Sequence, residues 1–155
     1  MRATVDIRPA TIADALASGI FEQLDADLKT RYPASWIPAT DPQQYEGAGG
    51  CVVLASVGAD VIGCGAFRLF DAGTVEMKRM FVRSDYRGRG IARRILAELE
   101  REARARGCTA AVLETGTRQP EAIALYITCG YEPIERYGGY AHYSRSVCFR
   151  KQLSG

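Results

Sequence analysis

The chain has almost no histidine and no metal-binding spacing of cysteine. His142 is the single histidine, and the five cysteines, at 51, 64, 108, 129 and 148, contain no C-x-x-C pair. These shortages argue against a zinc site, so no metal is expected. No apolar run approaches the roughly 20 residues that a membrane helix needs. The stretch Met1-Arg2-Ala3-Thr4-Val5-Asp6 lacks the apolar core of a secretory signal. An excess of either charge is missing too: the net charge of +2 implies neither a nucleic-acid nor a membrane partner. No Gly-Lys-Ser/Thr follows the glycine turn at 88–90, which excludes a Walker loop, and Arg93 stands where a dinucleotide fingerprint needs its third glycine. Neither an internal repeat nor a second domain is visible, so residues 1–155 are expected to form one domain. Cysteines in apolar runs, such as Cys51-Val52-Val53-Leu54 and Val147-Cys148-Phe149, read as buried free thiols in a reducing, cytoplasmic setting.

Apolar residues make up 47% of the chain, enough to build a core without disulfides. Val5 to Arg8 alternates like a short strand, and Asp14 to Lys29 suits one or two helices broken at Gly19. Residues 30–50, with three prolines and three glycines, read as a long loop of the kind that binds ligands. Strands are predicted at 51–57, 61–70 and 74–82, joined by tight turns into an antiparallel meander. A helix follows over 90–106, with Ile91, Ile95 and Leu99 on one face. The strand at 110–115 then completes a strand–helix–strand unit, which favours a parallel pair. A helix begins near Gln119-Pro120-Glu121, and strands at 131–134 and 146–150 close an α/β fold around a mixed sheet.

A turn lacking side chains at a helix start leaves unpaired N–H groups and the positive end of the helix dipole open to an anion. Arg87-Gly88-Arg89-Gly90-Ile91-Ala92 supplies such a turn, and Arg83 adds charge nearby. The same residues fit a plain glycine turn before an arginine-rich helix. The neighbours decide between the two. The turn matches Gln/Arg-x-x-Gly-x-Gly/Ala, the signature of the GCN5-related N-acetyltransferase (GNAT) superfamily. Ala122-Ile123-Ala124-Leu125-Tyr126-Ile127-Thr128-Cys129-Gly130-Tyr131 matches its Ala-x-x-Leu-Tyr-x-x-x-Gly-Phe/Tyr pattern, and Val75–Val82 resembles its fourth strand. The chain therefore resembles that superfamily over about residues 4–150. It departs at Gln119, where many members have asparagine, which bears on capping and cofactor contact there.

The resemblance implies a mostly antiparallel sheet with a splayed parallel pair, parted around Val82 and Ala111, and flanked by helices. It implies acetyl-CoA as co-substrate: pyrophosphate on Arg87, Gly88, Arg89, Gly90, Ile91 and Ala92, pantetheine along Met80, Phe81 and Val82, with Gln119 and Tyr126 in contact. It also implies frequent dimers. The acceptor amine, with a lysine-like pKa of about 10.4, is nucleophilic in roughly one molecule in a few thousand at neutral pH, equivalent to about 4–5 kcal/mol. A base offsets that cost. Glu76, eleven residues before Arg87 like the strand-four glutamate of protein-lysine-acetylating members, is one candidate. Glu114 at the end of the next strand is a second, and His142 or water are others. Tyr126 keeps its proton at neutral pH and can give it to the departing thiolate. Trp36, Tyr45, Tyr140 and His142, with Tyr137 and Tyr143, are candidates for contact with the acceptor. Compact size and near-neutral charge favour a small-molecule amine. The alternatives are a protein or peptide acceptor, a non-catalytic acyl-CoA sensor and a nucleotide-binding regulatory module.

Overall fold

A computed structural model describes residues 4–38 and 40–153. Ala39, inside the loop read at 30–50, lies outside the described residues, as do both ends of the 1–155 range. Among the described residues seven strands form one sheet in the order β1-β2-β3-β4-β5-β7-β6. They are β1 (Asp6–Ala10), β2 (Gly50–Val57), β3 (Asp60–Asp71), β4 (Thr74–Val82), β5 (Ala110–Gly116), β6 (Glu132–Ile134) and β7 (Ser146–Gln152). All neighbours are antiparallel except β4 and β5, which run parallel as the strand–helix–strand reading requires. The helices are α1 (Ile12–Ser18), α2 (Ile20–Arg31), α3 (Ile91–Ala105) and α4 (Pro120–Thr128).

β1 continues past Arg8 through Pro9, which faces Val53. Proline costs a ladder hydrogen bond in a central strand but is tolerated at an edge, and β1 is an edge. β6, the other edge, likewise holds Pro133. α1 starts earlier than Asp14 because Thr11 caps it: the Thr11 hydroxyl accepts from Asp14 N at 3.0 Å, and Asp14 answers to Thr11 N.

Helices cover both faces of the sheet. Cys51, Val53 and Ala55 of β2 point toward α3, where Ile95, Leu96 and Leu99 meet Phe67, Leu113 and Phe149. Val52 and Leu54 point the other way, toward Ile12, Ala15, Ile20 and Phe21 of α1 and α2. Burial on both sides explains why β2 is apolar without alternation. Most buried polar side chains have partners: Glu100 of α3 accepts from Tyr131 Oη and Lys151 Nζ, each at 2.9 Å.

Candidate active site

Parallel pairing of β4 with β5 runs only from Thr74↔Ala110 to Met77↔Leu113. Beyond it β4 continues to Val82 and β5 to Gly116 without pairing each other. The opening therefore lies beside Glu114–Gly116, not at Ala111, which remains paired with Val75. Its cause is local. The register against β3 shifts between Cys64↔Phe81 and Ala66↔Lys78, which leaves one extra residue in β4. Arg79 takes up the excess with φ 58°, a conformation that costs an L-residue about 1–2 kcal/mol. Opposite the bulge stands Gly65, where a Cβ would sit 2.7 Å from Met80 Sδ and 2.7 Å from Ile95 Cγ2. The absent side chain lets Met80 fold onto the core while the β4 backbone turns away from β5.

Two cavities flank this opening, of about 400 and 380 Å³, and Leu24, Met80, Gln119 and Tyr126 line both. The first is bounded by the end of β4 and the start of α3. Met80, Phe81, Val82, Arg87, Gly88, Gly90, Ile91, Ala92, Gln119 and Tyr126 all line it. Gly88 and Gly90 have φ of 77° and 76°, and a Cβ on either would meet nothing within 4 Å. Glycine is needed there for backbone conformation, which an L side chain rarely adopts, and the empty space leaves the turn open. Gly90 caps α3 without any side-chain hydrogen bond, so the first N–H groups of that helix face the cavity unblocked. These features fit a bound pyrophosphate.

The supporting charge differs from the sequence reading. Arg89 does not line the cavity; it stacks on Tyr86 at 4.9 Å and donates to the Asp85 carbonyl. Arg83 is held by Asp85 and Asp60. Arg87 lines the cavity but also braces it, donating from Nε to the Val82 carbonyl at 2.9 Å. Arg93, read in the sequence only as the residue that breaks a dinucleotide fingerprint, lines the cavity from the first turn of α3 and donates to Thr128 Oγ1. Arg31 reaches the same wall from α2, paired with Asp27 and Glu121. Gln119 gives α4 no side-chain cap; its Oε1 accepts from Tyr32 Oη at 3.2 Å.

The second cavity holds both candidate carboxylates, and their surroundings differ. Glu76 is 1% exposed. Arg68 Nε donates to its Oε1 at 2.8 Å, Tyr137 Oη to its Oε2 at 2.7 Å, and Lys78 lies 3.8 Å away. Glu114 is less enclosed and takes one side-chain hydrogen bond, from Ser146 Oγ at 2.7 Å. Burial, only partly opposed by that bond and by Lys78, pushes its carboxyl pKa above the ordinary value. Tyr126 sits between the cavities, its ring against Tyr131 and Phe149. Burial, reinforced by Glu114, pushes its hydroxyl pKa up, so the proton stays on.

Aromatic rings roof this second cavity. Trp36 comes from the 3-10 turn Ala34–Trp36, and Tyr140 from the 3-10 turn Gly138–His142. Tyr140 Oη accepts from Lys78 Nζ at 3.2 Å. Tyr45, Tyr137 and His142 line neither cavity; Tyr137 stands behind Tyr140, its ring edge-on to it at 5.4 Å. Tyr45 is a core residue, 3% exposed, with its ring edge-on to Phe21, whereas His142 is exposed at the outer end of its turn. Lys78, Tyr143, Arg145 and Ser146 also line the cavity. Only β-alternation from Glu76, which puts Lys78 on the same face, offered a hint of the first. Tyr143 was among the aromatic candidates, whereas Arg145 and Ser146 reach the cavity only because β7 pairs with β5, a non-local contact.

Comparison with known proteins agrees with this geometry. Residues 21–131 match the family model described as "Acetyltransferase (GNAT) family". The chain is 36% identical over 147 residues to an IAA acetyltransferase of Azospirillum brasilense, covering 94% of this chain and 95% of that one. A solved structure described as an acyl-CoA N-acyltransferase of Klebsiella pneumoniae is 32% identical, with a TM-score of 0.80 over 99% of this chain and 100% of that one. An acetyltransferase of Salmonella typhimurium, solved with its cofactor acetyl-CoA, shares the fold at 22% identity and a TM-score of 0.72, covering 99% and 96%.

Proposed function

The chain belongs to the acetyltransferase (GNAT) family and uses acetyl-CoA, and from that premise we propose that it acetylates the primary amine of a small molecule. One observation carries the reading: the acceptor side is a cavity of about 380 Å³ roofed by aromatic turns, within the size range of small-molecule sites. The Azospirillum relative is named for acetylating IAA, which supports a small acceptor here as well.

Acetyl-CoA bound in the first cavity supplies an activated thioester. The uncapped start of α3 and Arg93 suit its pyrophosphate, and the unpaired edge of β4 at Met80–Val82 suits its arm. Glu114 is the favoured base. Its raised pKa moves it toward neutrality, where a carboxylate removes an ammonium proton more readily, and its Oε1 has no side-chain donor among the described residues. Glu76, with its charge compensated by Arg68 and Lys78, is better suited to fixing Tyr137, which packs against the roofing ring of Tyr140. Tyr126, shared by both cavities and firmly protonated, is suited to give its proton to the leaving sulfur. Cytoplasmic residence, consistent with the unpaired state of all five cysteines, and a dimeric state belong to the same reading.

A thiol-release screen with acetyl-CoA against polyamines, amino acids, aminoglycosides and lysine peptides tests the proposal. Turnover of small amines with lysine peptides inert is the expected result. Turnover of peptides alone would overturn it.

A further inference from the structure

Of the cationic side chains that line the acceptor cavity, Lys78 and Arg79 each have a carboxylate within 4 Å and Arg145 has none among the described residues. Glu76 is paired with Arg68 at 2.8 Å, and Arg79 with Asp25 at 2.9 Å. Lys78 lies 3.8 Å from Glu76 and donates to Tyr140. Arg145 has no carboxylate within ion-pair distance among the described residues; its Nη2 donates to the Trp36 carbonyl at 3.5 Å. Its guanidinium centre lies 4.6 Å from the Trp36 ring centroid and 4.2 Å from that of Tyr143. Stacking against rings fixes a guanidinium in orientation and leaves its N–H edge available.

The backbone at Arg145 is fixed as well. Thr117 N donates to the Arg145 carbonyl at 2.9 Å, and the next residue, Ser146, donates to Glu114 at 2.7 Å. Arg145, Trp36, Tyr143 and Glu114 all line the same cavity. A stacked arginine that makes no ion pair, its charge reaching Glu114 only at longer range, is a preformed fork for a planar, bidentate anion, and a carboxylate has that shape.

Resting on the small-molecule reading above, we propose that the acceptor carries a carboxylate that pairs with Arg145 while its amine reaches toward Glu114. The substrate class is amino acids and similar amino-carboxylates. Arg145 is then a specificity-determining residue, remote from the reacting bond, that selects an acceptor by the group beside its amine.

The test uses matched acceptors, free amino acids against the corresponding amino acid amides, with thiol release as readout. The wild-type enzyme is expected to prefer the acid at least tenfold in kcat/KM. Arg145→Gln is expected to bring that ratio close to one by raising KM for acids, and Arg145→Lys to give an intermediate ratio. The wild-type preference needs no variant to fold, so the proposal stays testable if Arg145→Gln is unstable. Amides used as well as or better than acids by the wild type would overturn the carboxylate site alone, as would a full preference in Arg145→Gln. Lysine peptides turned over while every small amine is inert would overturn the small-molecule reading, and the carboxylate site with it.

Discussion

Tyr126 and Glu114 are set apart by what burial does to each. Burial raises both pKa values, which makes the phenol a firmer holder of its proton and the carboxylate a readier acceptor of one. Tyr126→Phe removes a hydroxyl that no described side chain hydrogen-bonds and keeps the ring against Tyr131 and Phe149. We expect kcat to fall about 10²-fold, the usual scale of a lost general acid, with KM for acetyl-CoA changed little. Steady-state kinetics decide it, and an unchanged kcat removes Tyr126 from the acid role. Glu114→Gln preserves shape and the Ser146 contact. Its kcat/KM is expected to drop about 10²-fold and to lose the acid limb of the wild-type pH profile. Stability should move the opposite way. A carboxyl whose folded pKa is raised contributes stability below its ordinary pKa and loses it as pH rises through the folded value. At neutral pH the wild type therefore bears the cost of ionising Glu114, and the glutamine variant does not. Denaturant unfolding from pH 4 to 8 should show the two curves parting in the variant's favour toward high pH; no divergence would mean that Glu114 titrates normally.

The turn into α3 works through its backbone rather than through space. Gly90→Ala meets no atom, so its cost is conformational, about 1–2 kcal/mol of stability with a modestly weaker grip on coenzyme A. Gly90→Glu adds a carboxylate where the helix start favours an anion. Calorimetric titration with coenzyme A should show binding weakened by the first change and abolished by the second. Retained affinity in the glutamate variant would show that the pyrophosphate lies elsewhere. This turn was legible in the sequence because it is local: two glycines, a preceding strand and a following amphipathic helix lie within one stretch. The β2–β4 meander was legible for the same reason. The β4 bulge was not, since Arg79 carries no signal of a left-handed backbone and only Gly65 on the neighbouring strand makes room for its consequence. Tyr45 misled because a loop tyrosine reads as a contact residue, yet the Pro42–Tyr45 turn folds it under Phe21. Arg145 was invisible because one of the two rings that hold it, Trp36, comes from a turn 109 residues earlier in the chain.

The sheet is divided where the cavities lie. Four parallel residue pairs, Thr74–Met77 against Ala110–Leu113, join β1–β4 to β5–β7–β6, and past them the halves separate. A ligand seated across that gap touches β4, the start of α3 and α4 together, so its binding energy adds directly to the stability of the native state. Coenzyme A at a hundredfold excess over its Kd stabilises the native state by about 2.7 kcal/mol. For a chain of 155 residues that is a rise in Tm of about 5–11 °C. Scanning calorimetry with and without coenzyme A measures it. Arg145→Gln, whose side chain lines the acceptor cavity and not the other, should keep the full shift, whereas Gly90→Glu should lose it. Loss of the shift in both variants would mean that the two cavities are one site and that their apparent division at Tyr126 has no energetic meaning.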